Sequence, residues 1–363
     1  MSKENVTTLD NLPIELQTKI SEVTQISQIG ENSGMTSDAV FELLYGNTPA
    51  IMKISSSRIE PRQIGIPGRD SFKPYNPTIL LNEFNVLTRI NNANLKTEVV
   101  PTPKPLLYYQ EHETEMSIQS KLPGTRMDLL ELSVQFSSTM AENVGNLIAR
   151  VGQIEIDDEV PFGSCADGEQ FSRWDEFYSY IVELGVESYS SPQTYKKLVN
   201  LSAFKNIANS YDEWVNVCKS IKSVYVSKAV RELLLQDGTK TLCHGDLWQG
   251  NFFYEDDKKK VYLFDYDRSI IGGHSYDLAL YTIAGTEKED INIDNNFYFK
   301  NVFKGYQKIG SLPNNFKDLR NIYGLWWWFE TLPFDAQKGF DRSERAINQA
   351  LGYYQLIQET ILK

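Results

Sequence analysis

The sequence predicts an α+β chain of two lobes: a small antiparallel sheet with one helix, then a larger, mainly helical part. Three observations carry this. Residues 24–30, 39–45 and 50–54 alternate like strands and are separated by short polar turns. Residues 136–151, 171–189, 297–309, 316–330 and 343–362 instead repeat apolar side chains at helical spacing. A run of strands followed by a run of helices separates the two kinds of element, and 363 residues suffice for two lobes with a sizeable core.

In chain order, residues 12–23 read as a short amphipathic helix with Pro13 near its start. The strand at 24–30 runs into a small polar turn, 30–38, and the strand at 50–54 carries Lys53. Residues 55–78 are rich in Pro, Gly, Arg and Ser and read as an insertion or a lid, with insertion preferred. A helix follows at 79–90, where Leu80, Phe84, Leu87 and Ile90 share one face and Glu83 sits among them. Residues 115–124 form a strand ending in Pro123-Gly124, residues 161–164 a turn, and residues 229–235 lead toward the loop at 244–251. The run Trp326-Trp327-Trp328-Phe329 is assigned to core packing of a late helix.

Composition narrows the class. Apolar residues make up 41% and charged residues 23%, as in ordinary globular proteins. No apolar run is long enough to span a membrane, and the polar N-terminus has no signal-peptide core, so a cytoplasmic protein with no membrane partner is expected. Cys165, Cys218 and Cys243 are odd in number and far apart, which fits a reducing compartment. A net charge of −12 disfavours nucleic acid as a partner and favours cationic ligands.

The chemistry is concentrated at residues 241–282. HGDLWQGN, residues 244–251, places Asn251 five positions after Asp246, the spacing of a phosphotransfer catalytic loop. There the Asp reaches an acceptor hydroxyl while the Asn reaches back to a metal on the phosphates. VYLFD, residues 261–265, is a buried strand ending in a second acid, and residues 256–260 supply the turn of a hairpin that would bring Asp265 to the loop. Asp267, Arg268 and Asp277 follow.

The ordered set HGD-x4-N, a hydrophobic strand ending in Asp, and G-x-x-x-Y-D-L-A resembles the aminoglycoside phosphotransferase and choline kinase family. The wording HGDLWQGN with GHSYDLAL is also similar to the fructosamine (ketosamine) kinases of that group. The resemblance implies a protein-kinase-like fold, with an N-lobe over residues 1–123 and a C-lobe over 124–363. It implies Asp246 as the catalytic group, Asn251 and Asp265 as Mg²⁺ ligands, and Lys53 on the phosphates of ATP or GTP, oriented by Glu83. With Lys53 and the downstream motif, the turn at 30–38 becomes a phosphate-binding turn presenting Ser33 and Gly34. The hinge reading adenine falls at Ser120 and Leu122. His244 braces the loop, Asp277 caps a helix or ties back to the loop, and Asp267 is a third ligand or a substrate contact. Glu330, Asp335, Asp341 and Glu344 lie where such kinases build acceptor pockets, and the first three are taken as acceptor-binding. Related kinases have a shorter link than residues 55–78, so this chain departs from the pattern there.

Other enzyme classes fail on particular residues. Only twelve positions separate Asp265 from Asp277, too few for a protein-kinase activation segment, and Gly245 stands where that class has Arg. His112, His244 and His274 have no zinc-ligand spacing, and no P-loop is present. The expected function is Mg²⁺-dependent transfer of a γ-phosphoryl group to a hydroxyl of an aminoglycoside-like or other amino-sugar acceptor. Ketosamine or choline-type acceptors are the alternative. A catalytically silent binding module is the reading from a different class, disfavoured because Lys53, Asp246, Asn251 and Asp265 are all present.

Overall fold

The computed structural model describes residues 23–28, 39–56, 79–94, 100–111, 114–166, 171–284 and 296–363. The expected helix before Val23, the turn holding Ser33 and Gly34, residues 57–78 and His112 lie outside the described residues.

The first lobe is a five-stranded antiparallel sheet. Strands β1 (Val23–Gln28), β2 (Ala39–Tyr45), β3 (Thr48–Ser56), β4 (Pro105–Glu111) and β5 (Thr114–Ser120) lie in the order β1-β2-β3-β5-β4. Side chains alternate across a strand, so Phe41, Leu43, Met52, Ile54, Met116 and Ile118 form an apolar core on one face. Lys53 and its cross-strand neighbour Ser117 fall on the other. Helix α1 (Ile79–Asn94) packs on that second face, and the buried Glu115 carboxylate accepts the Leu80 N–H at 2.9 Å, satisfying one open donor of its first turn.

The chain enters the second lobe through β6 (Thr125–Arg126), then α2 (Leu132–Gln135) and α3 (Ser138–Gly152). The Ser137 hydroxyl accepts the Met140 N–H and starts α3. Residues 163–164, expected in a turn, instead form a short strand, β7 (Gly163–Ser164), because Ile270 and Ile271 offer an open edge to pair with. Helix α4 (Trp174–Tyr189) is followed by α5 (Pro192–Leu198), α6 (Tyr211–Val226) and α7 (Lys228–Gln236).

Four short strands then frame the loops singled out above. They are β8 (Thr241–Cys243), β9 (Phe252–Glu255), β10 (Lys260–Leu263) and β11 (Ile270–Gly272). β9 and β10 form the expected antiparallel hairpin, and β8 pairs with β11. Helices α8 (Tyr276–Ala284), α9 (Phe297–Tyr306), α10 (Phe316–Lys338) and α11 (Ser343–Thr360) complete the lobe. α3 and α9 cross so closely that a Cβ on Gly145 would lie 1.9 Å from the Val302 carbonyl oxygen. α10 continues past Glu330 and through Pro333, since Leu332 and Phe334 remain buried and their packing outweighs the lost backbone bond. No described helix is long and apolar enough to cross a membrane.

The core of this lobe is aromatic, centred on the wholly buried Trp174, whose ring meets those of Phe162, Phe177, Tyr178, Tyr276 and Tyr323. A polar chain runs through it. Trp174 Nε1–H donates to the Tyr323 hydroxyl at 2.9 Å, which donates to Asp237 at 2.6 Å, while Asp237 also accepts the Ser275 N–H at 2.9 Å. Burial pushes the Asp237 carboxyl up to about 6 despite these donors. Asp237→Ala, which strands two buried donors, should lower stability by about 2–4 kcal/mol in urea unfolding at neutral pH. Because the folded pKa lies above the ordinary value of 3.8, the protonated group favours the fold at low pH and that advantage fades as pH rises through about 6. The stability difference between wild type and Asp237→Asn should therefore shrink between about pH 4 and about pH 7. A growing difference would contradict the assignment.

Candidate active site

Three segments far apart in sequence meet at Lys53. Its ammonium, on β3, donates to Glu83 of α1 at 2.9 Å and to Asp265, just after β10, at 2.5 Å. All three carry charge in a largely buried setting. Burial alone would lower the Lys53 pKa, but Asp265, Glu83 and Asp267 together hold it well above the ordinary lysine range. Burial likewise opposes ionisation of Asp265, yet Lys53, His244 and Arg268 keep its carboxyl below the usual range.

The hairpin explains why Asp265 arrives beside Asn251. Leu263 pairs with Phe252, and one step on, the Phe264 N–H donates to the Asn251 carbonyl at 3.1 Å. Asp265 then takes a left-handed backbone conformation, φ 69° and ψ 57°. A non-glycine residue there carries local strain, which the surrounding ion pairs offset. Asn251 is almost fully buried, and its Nδ2 donates to the Asp246 carbonyl at 2.8 Å. The same group lies 3.4 Å from Asp246 Oδ2.

The loop carrying Asp246 is held from three sides. Asp277, at the start of α8, accepts the His244 N–H at 2.6 Å and the Gly245 N–H at 3.0 Å. The His244 ring lies between two backbone groups, with Nε2 donating to the Phe264 carbonyl at 2.8 Å and Nδ1 accepting the Asp246 N–H at 3.3 Å. The Ser269 hydroxyl donates to the His244 carbonyl at 3.3 Å. Gly245 has φ +78°, and a Cβ there would lie 2.3 Å from the Arg268 carbonyl oxygen, so glycine is required where protein kinases carry Arg. The Asp246 carboxylate is half-buried, with Arg268 Nε 3.9 Å away.

Other residues singled out in the sequence fall as follows. Asp267 is half-buried beside Asp265, and desolvation of its carboxyl followed by that neighbour's charge pushes it well above the usual range. Asp277 is also raised by burial, against the pull of His244 and the two N–H groups it accepts. Ser120 closes the sheet edge, its N–H donating to Lys104 at 2.9 Å and its hydroxyl accepting from Lys104 at 2.8 Å. Leu122 lies half-buried two positions on. Glu330 is buried and lines a narrow cleft with Tyr178, Tyr276, Tyr323, Trp326 and Trp327. Asp335 is wholly buried in an ion pair with Arg342 at 2.5 Å, and Asp341 accepts from the Ser202 N–H and the Ser343 hydroxyl, so neither lines that cleft.

Two contributors had no role assigned from sequence. Asn82, wholly buried on α1, donates to the carbonyls of Asp267 at 3.2 Å and Ser269 at 2.9 Å and accepts from Ser164 and Cys165. It fastens the helix carrying Glu83 to the loop carrying Asp265, and it lies on the polar side of the helix, away from Leu80 and Phe84, where the sequence gives no sign of burial. Tyr276 is the other. Burial raises its phenol well above the ordinary range, and the charges of Glu330 and Asp246 add to this, so the ring stands within electrostatic reach of both.

The site thus combines a half-buried carboxylate, a buried cation suited to phosphate, and an amide and a carboxylate side by side as oxygen donors. A model of the phosphotransferase enzyme family matches residues 29–306. None of the curated proteins compared with the sequence matches it. Among solved structures, a protein from Haemophilus somnus described as a candidate fructosamine-3-kinase superposes with a TM-score of 0.50 at 14% identity, covering 92% of each chain. A thermostable mutant of the aminoglycoside phosphotransferase APH(4)-Ia, in a ternary complex with AMP-PNP and hygromycin B, gives a TM-score of 0.50 at 13% identity, covering 93% of this chain and 96% of that one. At such identities the structural likeness speaks to the fold, the two-lobed protein-kinase-like architecture expected from the sequence. With well over half its length matched by the family model, the chain belongs to the phosphotransferase enzyme family and is a small-molecule kinase.

Proposed function

We propose that the chain transfers the γ-phosphoryl group of ATP or GTP to a hydroxyl of a small cationic acceptor, an amino sugar or amino alcohol. The observation that carries the reading is the convergence of Lys53, Glu83 and Asp265 beside the Asp246–Asn251 loop. Such transfer depends on positioning and charge neutralisation more than on covalent help. Lys53 holds the nucleotide phosphates while Glu83 keeps its ammonium in place. Asp246 accepts the proton of the acceptor hydroxyl and orients its oxygen. Arg268 Nε stands 3.9 Å from that carboxylate.

The donor set fits Mg²⁺. Asn251 engages Asp246 through its nitrogen, which leaves the amide oxygen as its coordinating end, and Asp265 is held ionised. One or two such oxygens together with phosphate oxygens are what Mg²⁺ takes. When bound, the ion neutralises charge on the transferred group. Among the described residues the His244 ring hydrogen-bonds to backbone groups, and its role is to brace the loop.

Support for a cationic acceptor comes from the cleft of Glu330, which has room for about one water-sized group, enough for an ammonium end but not for the whole acceptor. Aromatic faces attract ammonium groups, and a buried carboxylate among them adds charge. Tyr276, at the start of α8 beside Asp277, forms one wall of this cleft. The net charge of −12 works in the same direction at longer range.

A coupled ADP-release assay with Mg-ATP and Mg-GTP, run across aminoglycosides, ketosamines and choline-type amines, tests the reading. Asp246→Asn should reduce turnover by about 10²–10⁴-fold while nucleotide binding by calorimetry stays close to wild type. Full turnover in that variant would refute the role of Asp246, and absence of both turnover and nucleotide binding in the wild type would favour a silent module. Glu330→Gln should raise KM for a cationic acceptor by about ten- to a hundredfold with kcat retained. An unchanged KM would remove Glu330 from the acceptor site.

A further inference from the structure

The polar stripe on α1 does not end at the catalytic cleft. Asn82 and Asn85 fasten the helix to the second lobe, Asn85 donating to the Cys165 carbonyl at 3.2 Å. One turn further on, the two lobes part around a cavity of about 800 Å³, bounded by α1 on one side and the end of α3 with residues 153–157 on the other. That size is typical of a small-molecule site. Thr88, Arg89 and Asn92 line the α1 wall, and Arg150 and Gln153 line the facing one.

Two features of the α1 wall point to a ligand. Arg89 makes no ion pair among the described residues, although Glu155 and Asp157 line the same cavity. The Thr88 hydroxyl is buried without a hydrogen-bond partner. The buried hydroxyl carries a desolvation cost, and the half-buried guanidinium beside it lacks a carboxylate partner among the described residues; an oxyanion would serve both. Arg89 also lies close enough to Cys165 to oppose the rise that burial imposes on the thiol. The amides of Asn92 and Gln153 and the carboxylates of Glu155 and Asp157 offer partners for hydroxyl groups.

We infer that this cavity is a second ligand site, which takes a small hydroxylated anion the size of a sugar phosphate. The anionic group seats on Arg89 and Thr88, and the hydroxyls seat on the amides and carboxylates around them. Since Arg89 stands on the helix that carries Glu83, occupancy acts on the Lys53–Glu83 pair and so on nucleotide affinity. This effector part rests on the nucleotide role proposed for Lys53; binding at Arg89 does not.

Calorimetry of the full nucleotide-free chain with glucose 6-phosphate, and separately with inorganic phosphate, tests the inference. Wild type, Arg89→Gln, Thr88→Val and Lys53→Met are compared, with circular dichroism confirming that each is folded. The expected result is binding of the sugar phosphate that weakens by about tenfold or more in Arg89→Gln, weakens in Thr88→Val, and persists in Lys53→Met. ADP affinity should then change by about fivefold or more when the sugar phosphate is saturating. No binding to wild type, or binding lost in Lys53→Met and kept in Arg89→Gln, would overturn the site. Arg89-dependent binding with no change in ADP affinity would overturn the effector role. Loss of kinase turnover with intact Arg89-dependent binding would count against the phosphotransfer reading alone.

Discussion

A single buried ammonium sets the requirements for the rest of the molecule. Lys53 has too little contact with water to keep its charge alone, and Glu83 and Asp265 supply the partners it needs. One lies 30 residues away and the other 212. The sheet must therefore place β3 centrally, α1 must start in the right register, and the β9–β10 hairpin must deliver the end of its second strand to the same point. Removing either carboxylate would leave a poorly compensated charge in the cleft, which ties the fold of the first lobe to that of the second.

The loops at the site are irregular, and each irregularity is held by a stated contact. Gly245 and Asp265 both adopt left-handed backbone conformations. Asp277 grips the first through two N–H groups, while the His244 ring ties the loop to the carbonyl next to the second. Both loops also spring from β8 and β11, which pair with each other. Precision at Asp246 thus comes from strands and buried acceptors beneath the loop together with His244, Gly245 and Asn251 within it. This arrangement suits a reaction in which placing the reactants is the main task.

How much of this was legible depended on whether the signal was local. Strand β2 was read over its full span because its alternation is uninterrupted, and the hairpin was read because charged turn residues separate two apolar runs. α5 and α6 were missed: α5 has only seven residues, whereas α6 carries a regular stripe at Trp214, Cys218, Ile221 and Tyr225 that was legible and went unread. α10 was stopped at Glu330 because Pro333 argues locally for an end, whereas the core on either side argues for continuation. In the site, motif residues with fixed spacing could be named, since the spacing itself encodes the chemistry. Asn82 could not, because its partners lie on segments 82 to 187 positions away and nothing in its own neighbourhood announces them.

The same contrast bears on the acceptor. Acidic composition pointed toward cationic ligands without saying which carboxylate would meet them. Asp335 is committed to Arg342, and Asp341 to the backbone and hydroxyls around Ser202 and Ser343. Both are structural acceptors, Asp335 inside the lobe and Asp341 at its surface just before α11. Glu330 differs because its surroundings are aromatic, with Tyr276, which opens the helix that also carries Asp277, among them. Within the proposed function, acceptor choice then depends less on the overall charge of −12 than on how a few rings and one carboxylate are spaced from the catalytic loop. Long-range charge is screened over about 10 Å in ordinary salt, whereas a desolvated contact is not. The selectivity of the enzyme should therefore survive changes in ionic strength that alter how fast acceptors arrive.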